Sequence, residues 1–109
     1  MKTITKEMVN WTIELQAEDT HPKYCFSLEP EEQARVVSGI LKDFKNNKWA
    51  WCCIRVIGEF KGVKSDDYLT CASYKNKKEF INSGKYDDMQ VVILNRLNSK
   101  IQNLVEALV

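Results

Sequence analysis

The sequence has one histidine, two prolines and four glycines in 109 residues, and its net charge is only +1. Each scarcity excludes something. A single histidine, His21, rules out a multi-histidine metal site, and Cys25, Cys52, Cys53 and Cys71 contain no C-x-x-C pair. Near-zero charge supplies no global field toward nucleic acid or membrane. The longest apolar run, residues 49–54, ends at Arg55 and falls far short of the ~20 residues that span a bilayer. No apolar stretch of signal-peptide length opens the chain, so a cytoplasmic location is expected. G-x-S-x-G, the P-loop, the Rossmann glycine pattern and H-E-x-x-H are also missing, and His21 sits beside Pro22 with no partner that spacing identifies. The chain therefore reads as non-enzymatic, without cofactor or metal.

What is present is a globular composition, 44% hydrophobic and 28% charged, with no repeat, linker or low-complexity segment. One compact domain spanning 1–109 is expected. The charge is unevenly spread, at −3 over residues 1–41, +5 over 42–85 and −1 over 86–109. The middle segment carries Lys42, Lys45, Lys48, Lys61, Lys64, Lys75, Lys77, Lys78 and Lys85. A solvated lysine surface and a phosphate-contacting one both fit that pattern.

Trp11, Ile13, Leu15 and Ala17 alternate with Thr12, Glu14 and Gln16, which marks a strand buried on one side. A helix follows at about 30–46, opened by Pro30 and acidic residues, with Val37, Ile40, Leu41 and Phe44 on one stripe. Strands are expected at about 48–60 and 66–74, joined by a hairpin loop of several residues at 61–65. That loop length would set Cys71 opposite about Arg55, out of reach of Cys52 and Cys53, so the four cysteines are expected as buried free thiols. Asn76 to Glu79 imitates a capping box before a short helix ended by Gly84. The last helix runs from about 86, with Leu94, Leu97, Ile101, Leu104 and Leu108 spaced either for packing on the sheet or for a homodimer seam. The expected fold is α+β: a three-stranded sheet in the order β-α-β-β-α-α, with helices on one face. Parallel pairing of the first two strands across a helical crossover is favoured over an antiparallel arrangement.

The segment KWAWCCIRVIGEF (48–60) raises the functional question. Read as one strand, its even positions Ala50, Cys52, Ile54, Val56 and Phe60 face the helices. Its odd positions, Trp49, Trp51, Cys53, Arg55, Ile57 and Glu59, then face away. With Tyr68 or Tyr74 alongside, an apolar patch with a cationic centre results, composed of the residue types that dominate interfaces. The candidate binding residues are Trp49, Trp51, Arg55, Tyr68 and Tyr74. The competing arrangement has residues 18–28 covering this face, with Tyr24 and Phe26 on the tryptophans.

Trp49-x-Trp51-Cys52-x-Ile54-x-Val56, then Asp67-Tyr68-Leu69-x-Cys71-x-Ser73-Tyr74, Phe80 and Tyr86-x-Asp88-Met89, resemble a family of small, functionally uncharacterised proteins of bacteriophages, prophages and mobile elements. The resemblance covers roughly residues 49–89, and the W-x-I-E-L strand at 11–15 also fits. The chain departs from the pattern at Thr70, where glycine is expected, and at Ala72, where a further cysteine is expected. The resemblance implies a binding protein acting on a host protein in the host cytoplasm, in the manner of a counter-defence, anti-CRISPR-like inhibitor. The alternative is a nucleotide or single-stranded nucleic-acid binder, with aromatic rings stacking bases and Arg55 meeting phosphate. No membrane partner is expected.

Overall fold

The computed structural model describes residues 3–108 and shows an α+β fold built on one three-stranded sheet. In chain order the elements are β1 (Asn10–Gln16), α1 (Pro30–Phe44), β2 (Cys52–Phe60), β3 (Val63–Ala72), α2 (Lys77–Asn82) and α3 (Lys85–Leu108). Short 3₁₀ turns occupy Lys6–Met8, Pro22–Tyr24 and Lys48–Ala50. β2 is central, and it pairs antiparallel with both neighbours. Parallel pairing of β1 and β2 is thus corrected. Gln16, the last residue of β1, lies opposite Cys53 at the start of β2, so residues 17–51 leave and re-enter at the same end of the sheet. A parallel crossover would have needed α1 to travel back along the sheet, whereas α1 packs against the two 3₁₀ turns at Pro22–Tyr24 and Lys48–Ala50.

The link from β2 to β3 is tighter than the several residues expected. Lys61 (φ 48°) and Gly62 (φ 84°) make a two-residue turn with both centres left-handed, the geometry that matches strand twist. Phe60 then opposes Val63, and Arg55 opposes Tyr68 rather than Cys71. Further along, pairing jumps from Ile54–Leu69 to Cys52–Ala72. Thr70 and Cys71 together face Cys53 in a bulge, and Cys71 takes the left-handed φ of 54°. The bulge turns Cys71 toward the 18–28 loop, where it forms a disulfide with Cys25, Cα to Cα 6.5 Å. The expectation of four free thiols holds only for Cys52 and Cys53.

α2 and α3 cover one face of the sheet. Ile54, Val56, Phe80, Ile93 and Leu97 are sealed there, with Cys52, Ala72, Met89, Val9 and Ile4 around them. α3 sits close because β2 offers Gly58: a Cβ there would meet Ile93 Cγ2 at 2.8 Å, the Trp11 ring at 3.0 Å and Val9 Cγ1 at 3.1 Å. Asn98 of α3 clamps the N-terminal segment by accepting from Ile4 N (2.8 Å) and donating to Ile4 O (3.2 Å). Arg96 and Lys100 donate to the carbonyls of Asp66 and Lys64, fixing α3 along β3 in the opposite sense. Local signals work as expected at several ends. Pro30 opens α1, Asn76 Oδ1 accepts from Glu79 N (2.9 Å) to cap α2, and Gly84 (φ 85°) separates α2 from α3.

One core serves the described residues, but the outline is elongated at 60 × 23 × 21 Å. The radius of gyration is 17.5 Å, against about 13 Å for a compact chain of this length. Two features stretch it. α1 projects from the end of the sheet where β2 begins and buries no residue fully; Leu41 and Phe44 stay 40% and 44% exposed. At the opposite end α3 runs past the hairpin. Of its stripe, Leu97 is buried, Leu94 and Ile101 are half-buried, and Leu104 and Leu108 are exposed.

Two substitutions test this packing. Gly58→Ala should lower urea-denaturation stability by roughly 1–3 kcal/mol, the usual cost of overpacking; an unchanged midpoint would mean that α3 is not seated on β2. Cys25→Ser should lower it by about 4 kcal/mol in the chain-entropy account of a loop this long. Under denaturing conditions two thiols should react before reduction and four after it, and four at the outset would refute the bridge.

Candidate functional site

The face of the sheet opposite α2 and α3 is where the odd positions of β2 emerge. Among the described residues the helices with substantial contact to the sheet are on the other face. Cross-strand register places Thr12 beside Ile57, Glu14 and Tyr68 on either side of Arg55, and Asp66 beside Ile57. Arg55 is held on both sides. Its Nη1 donates to Glu14 Oε2 (2.8 Å), its Nε donates to Asp66 Oδ2 (2.9 Å), and Nη2 lies 2.8 Å from the same oxygen. The Tyr68 ring lies 5.8 Å from the guanidinium carbon, within cation–π range, and is 49% exposed. Hydrogen bonding to Asp66, reinforced by Glu14, raises the Arg55 pKa above its ordinary value despite some desolvation. The guanidinium is therefore fixed in direction and already matched in charge. Across this face Arg55 and Lys64 meet Glu14, Glu59 and Asp66.

The five candidate residues do not share one surface. Arg55 and Tyr68 do. Trp51 points to the same side but is 6% exposed, sealed by Phe26 at 6.2 Å between ring centroids, with its Nε1 donating to Thr20 O at 2.9 Å. Trp49 and Tyr74 belong to the helix side, both packed on Phe80, at 6.2 and 5.3 Å. The expectation of one strand over 48–60 fails at its beginning. Residues 48–50 form a 3₁₀ turn, so the alternation reaches back to the extended Trp51 but not to Trp49. The covering of Trp51 by Phe26 follows the competing arrangement, although Tyr24 stays exposed instead of packing there.

Three ties close the 18–28 loop over Trp51. These are the Trp51–Thr20 hydrogen bond, the Cys25–Cys71 disulfide, and Glu18, whose Oε1 accepts from Cys71 N (2.5 Å) while Oε2 accepts from Thr20 N (3.1 Å). The Cys71 N–H bond is the main cause that holds the Glu18 carboxyl below its ordinary value. Sequence reasoning missed Glu14, Asp66 and Glu18. Thr12, Glu14 and Gln16 were legible as one polar strand face, and a two-residue turn at Lys61-Gly62 would have set Tyr68 against Arg55.

Burial pushes the Cys52 thiol up to about 11 and raises Cys53 as well, the opposite of an activated nucleophile. Cys52 Sγ lies 3.8 Å from the carbonyls of Trp49 and Ala72, as a protonated donor would. His21 Nδ1 accepts from Lys23 N (3.2 Å), a local turn bond. Among the described residues no group of three or more His, Cys, Asp or Glu side chains is placed to hold a metal ion, and no helix is long and apolar enough to cross a membrane. No family model matches the chain, and neither the curated proteins nor the solved structures compared with it give a match.

A depressed Glu18 pKa means that its contribution is complete above about pH 4.5, the ordinary carboxyl value, and is lost as pH falls through the lower folded value. Tryptophan emission should therefore shift to longer wavelength on acidification as the loop loosens over Trp51. Glu18→Gln should show part of that shift at neutral pH and a smaller acid response, and Trp51→Phe should remove it. Identical acid titrations for wild type and Glu18→Gln would contradict the role given to Glu18.

Proposed function

We propose that this chain is a non-enzymatic binding protein that engages a partner protein through the uncovered sheet face centred on Arg55, Tyr68 and Ile57. The observation that supports it is the ion-paired, stacked Arg55 at the middle of a face that no helix covers. A protein surface suits such a face. Tyr68 and Ile57 supply apolar area, while Glu14, Glu59, Lys64 and Asp66 form a polar rim. Because Arg55 is already held in place, binding does not have to order it.

The same geometry disfavours phosphate recognition at this face. The guanidinium donors are taken up by two carboxylates, and the indoles that would stack bases lie elsewhere. The partner we propose is a host protein, and the form of action is counter-defence inhibition by contact. That context, and the host cytoplasm with it, rests on the resemblance to proteins of phages and mobile elements; the Cys25–Cys71 disulfide would be open to reduction in that compartment.

A pull-down from host lysate tests the face, comparing wild type with Tyr68→Ala and Ile57→Asp, each checked to melt like wild type. A partner retained by wild type and lost by both variants is the expected result. Equal recovery of every retained protein by all three chains would overturn the assignment.

A further inference from the structure

We propose that the cleft between the C-terminal end of α1 and the start of α2 binds a phosphate-bearing ligand, at a site separate from the sheet face. The cleft has a volume of about 470 Å³, within the range of small-molecule sites. Lys42 and Lys75 stand on its walls, with Asn46, Asn47, Ser73 and Tyr74 between them. Lys45 shares a neighbouring hollow on α1 with Lys42, and Lys78 shares another, beside α2, with Tyr74. Lys48 and Lys77 follow at the adjoining turns.

The walls are held at a fixed separation. Asn47 Oδ1 accepts from Trp49 N (3.1 Å) while its Nδ2 donates to Lys75 O (2.8 Å), and Tyr74 N donates to Trp49 O (2.8 Å). One asparagine therefore joins the end of the α1 segment to the segment before α2, so the concavity is built rather than incidental.

Charge is the second observation. Lys42, Lys45, Lys48, Lys75, Lys77 and Lys78 are all exposed, and none lies within ion-pair distance of a carboxylate among the described residues. Asp43 and Glu79 are the acidic groups on the cleft wall, and Glu79 Oε1 accepts from Lys75 N at 3.2 Å. The cleft wall itself carries two lysines and two carboxylates; the four further lysines on the adjoining segments bring residues 42–50 and 73–82 together to +4 in a chain whose total is +1. Unpaired ammonium groups on this cleft and on the segments beside it attract anions. The side chains of Asn46 and Ser73 make no hydrogen bond among the described residues, which leaves neutral donors between the lysines. Donors converging from two walls suit a tetrahedral group with several acceptor oxygens better than a planar carboxylate. The Tyr74 ring on the same wall offers an aromatic surface next to the phosphate position.

The test is fluorescence anisotropy of a labelled single-stranded oligonucleotide at low salt, with ADP and polyglutamate as competitors. Wild type should bind, and Lys42→Gln/Lys75→Gln should weaken binding about tenfold and reduce the slope of log affinity against log salt by about 1.4, two phosphate contacts on a single strand. Lys61→Gln/Lys100→Gln, which removes equal charge at the hairpin end, should change affinity less than about twofold. Displacement by ADP that depends on Lys42 and Lys75 assigns the cleft to free nucleotides; retention of the strand against ADP assigns it to a phosphodiester chain. Either result supports the phosphate site. Absence of strand binding at low salt, equal loss in the two double variants, or displacement by polyglutamate as strong as by unlabelled strand would each overturn it.

Discussion

The two-residue turn at Lys61-Gly62 is the constraint from which the rest of the sheet follows. With both residues at positive φ, the hairpin closes tightly and sets Arg55 against Tyr68. Asp66 then falls on the diagonal from Arg55, close enough to accept from its guanidinium. At the other end of β3 the same register meets its limit. Two residues, Thr70 and Cys71, must fit where one partner is available, and Cys71 absorbs the excess in a left-handed conformation. That residue receives the disulfide from Cys25 and the carboxylate of Glu18. One turn therefore decides which aromatic stays open, Tyr68, and places the anchor for the loop that closes over Trp51. A single-residue change in the turn would exchange the faces of β3, because side chains alternate with a period of two.

α1 shows how an element can be unmistakable in sequence and still unplaced. Its stripe of Val37, Ile40, Leu41 and Phe44 is amphipathic, yet that pattern states only that one side prefers contact. The contact it finds is with the two 3₁₀ turns at Pro22–Tyr24 and Lys48–Ala50, off the end of the sheet. A helix of 15 residues is marginal alone, so its position depends on those turns and on Gln33, which donates to Lys23 O. Because α1 stays outside, the sheet is covered by α3, and the close seat at Gly58 becomes necessary.

Much of this was legible because it is local. The alternation in β1, Pro30 at a helix start, Asn76 as a cap and the buried even positions of β2 depend on neighbours a few residues away. Parallel or antiparallel pairing of β1 depended on where α1 lies, which no local signal specifies. Trp49 and Trp51 illustrate a different limit. An apolar run such as WAWCC fits a strand and a 3₁₀ turn equally well, since three residues carry too little periodicity to separate the two. The turn sends one indole to Phe80 and the other under Phe26. Arg55 and Tyr68 were recognisable by type; Glu14 and Asp66 were not, because only the register makes them neighbours.

The two surfaces differ in what their charges have left to do. Around Arg55 each cation has a carboxylate within reach, so the face is nearly neutral and its polar groups are oriented before any partner arrives. Burying such a face draws on shape and on Tyr68 and Ile57, and salt should affect it little. At the α1–α2 end none of the lysines has a carboxylate within ion-pair distance among the described residues, so a bound anion would lower the repulsion among them. Binding there releases counterions and weakens steeply with salt. A chain with a net charge of +1 thus keeps a matched surface and an unmatched one at separate places, because Asn47 gathers the lysine-bearing segments at the sheet's end while the hairpin register pairs the charges on its face.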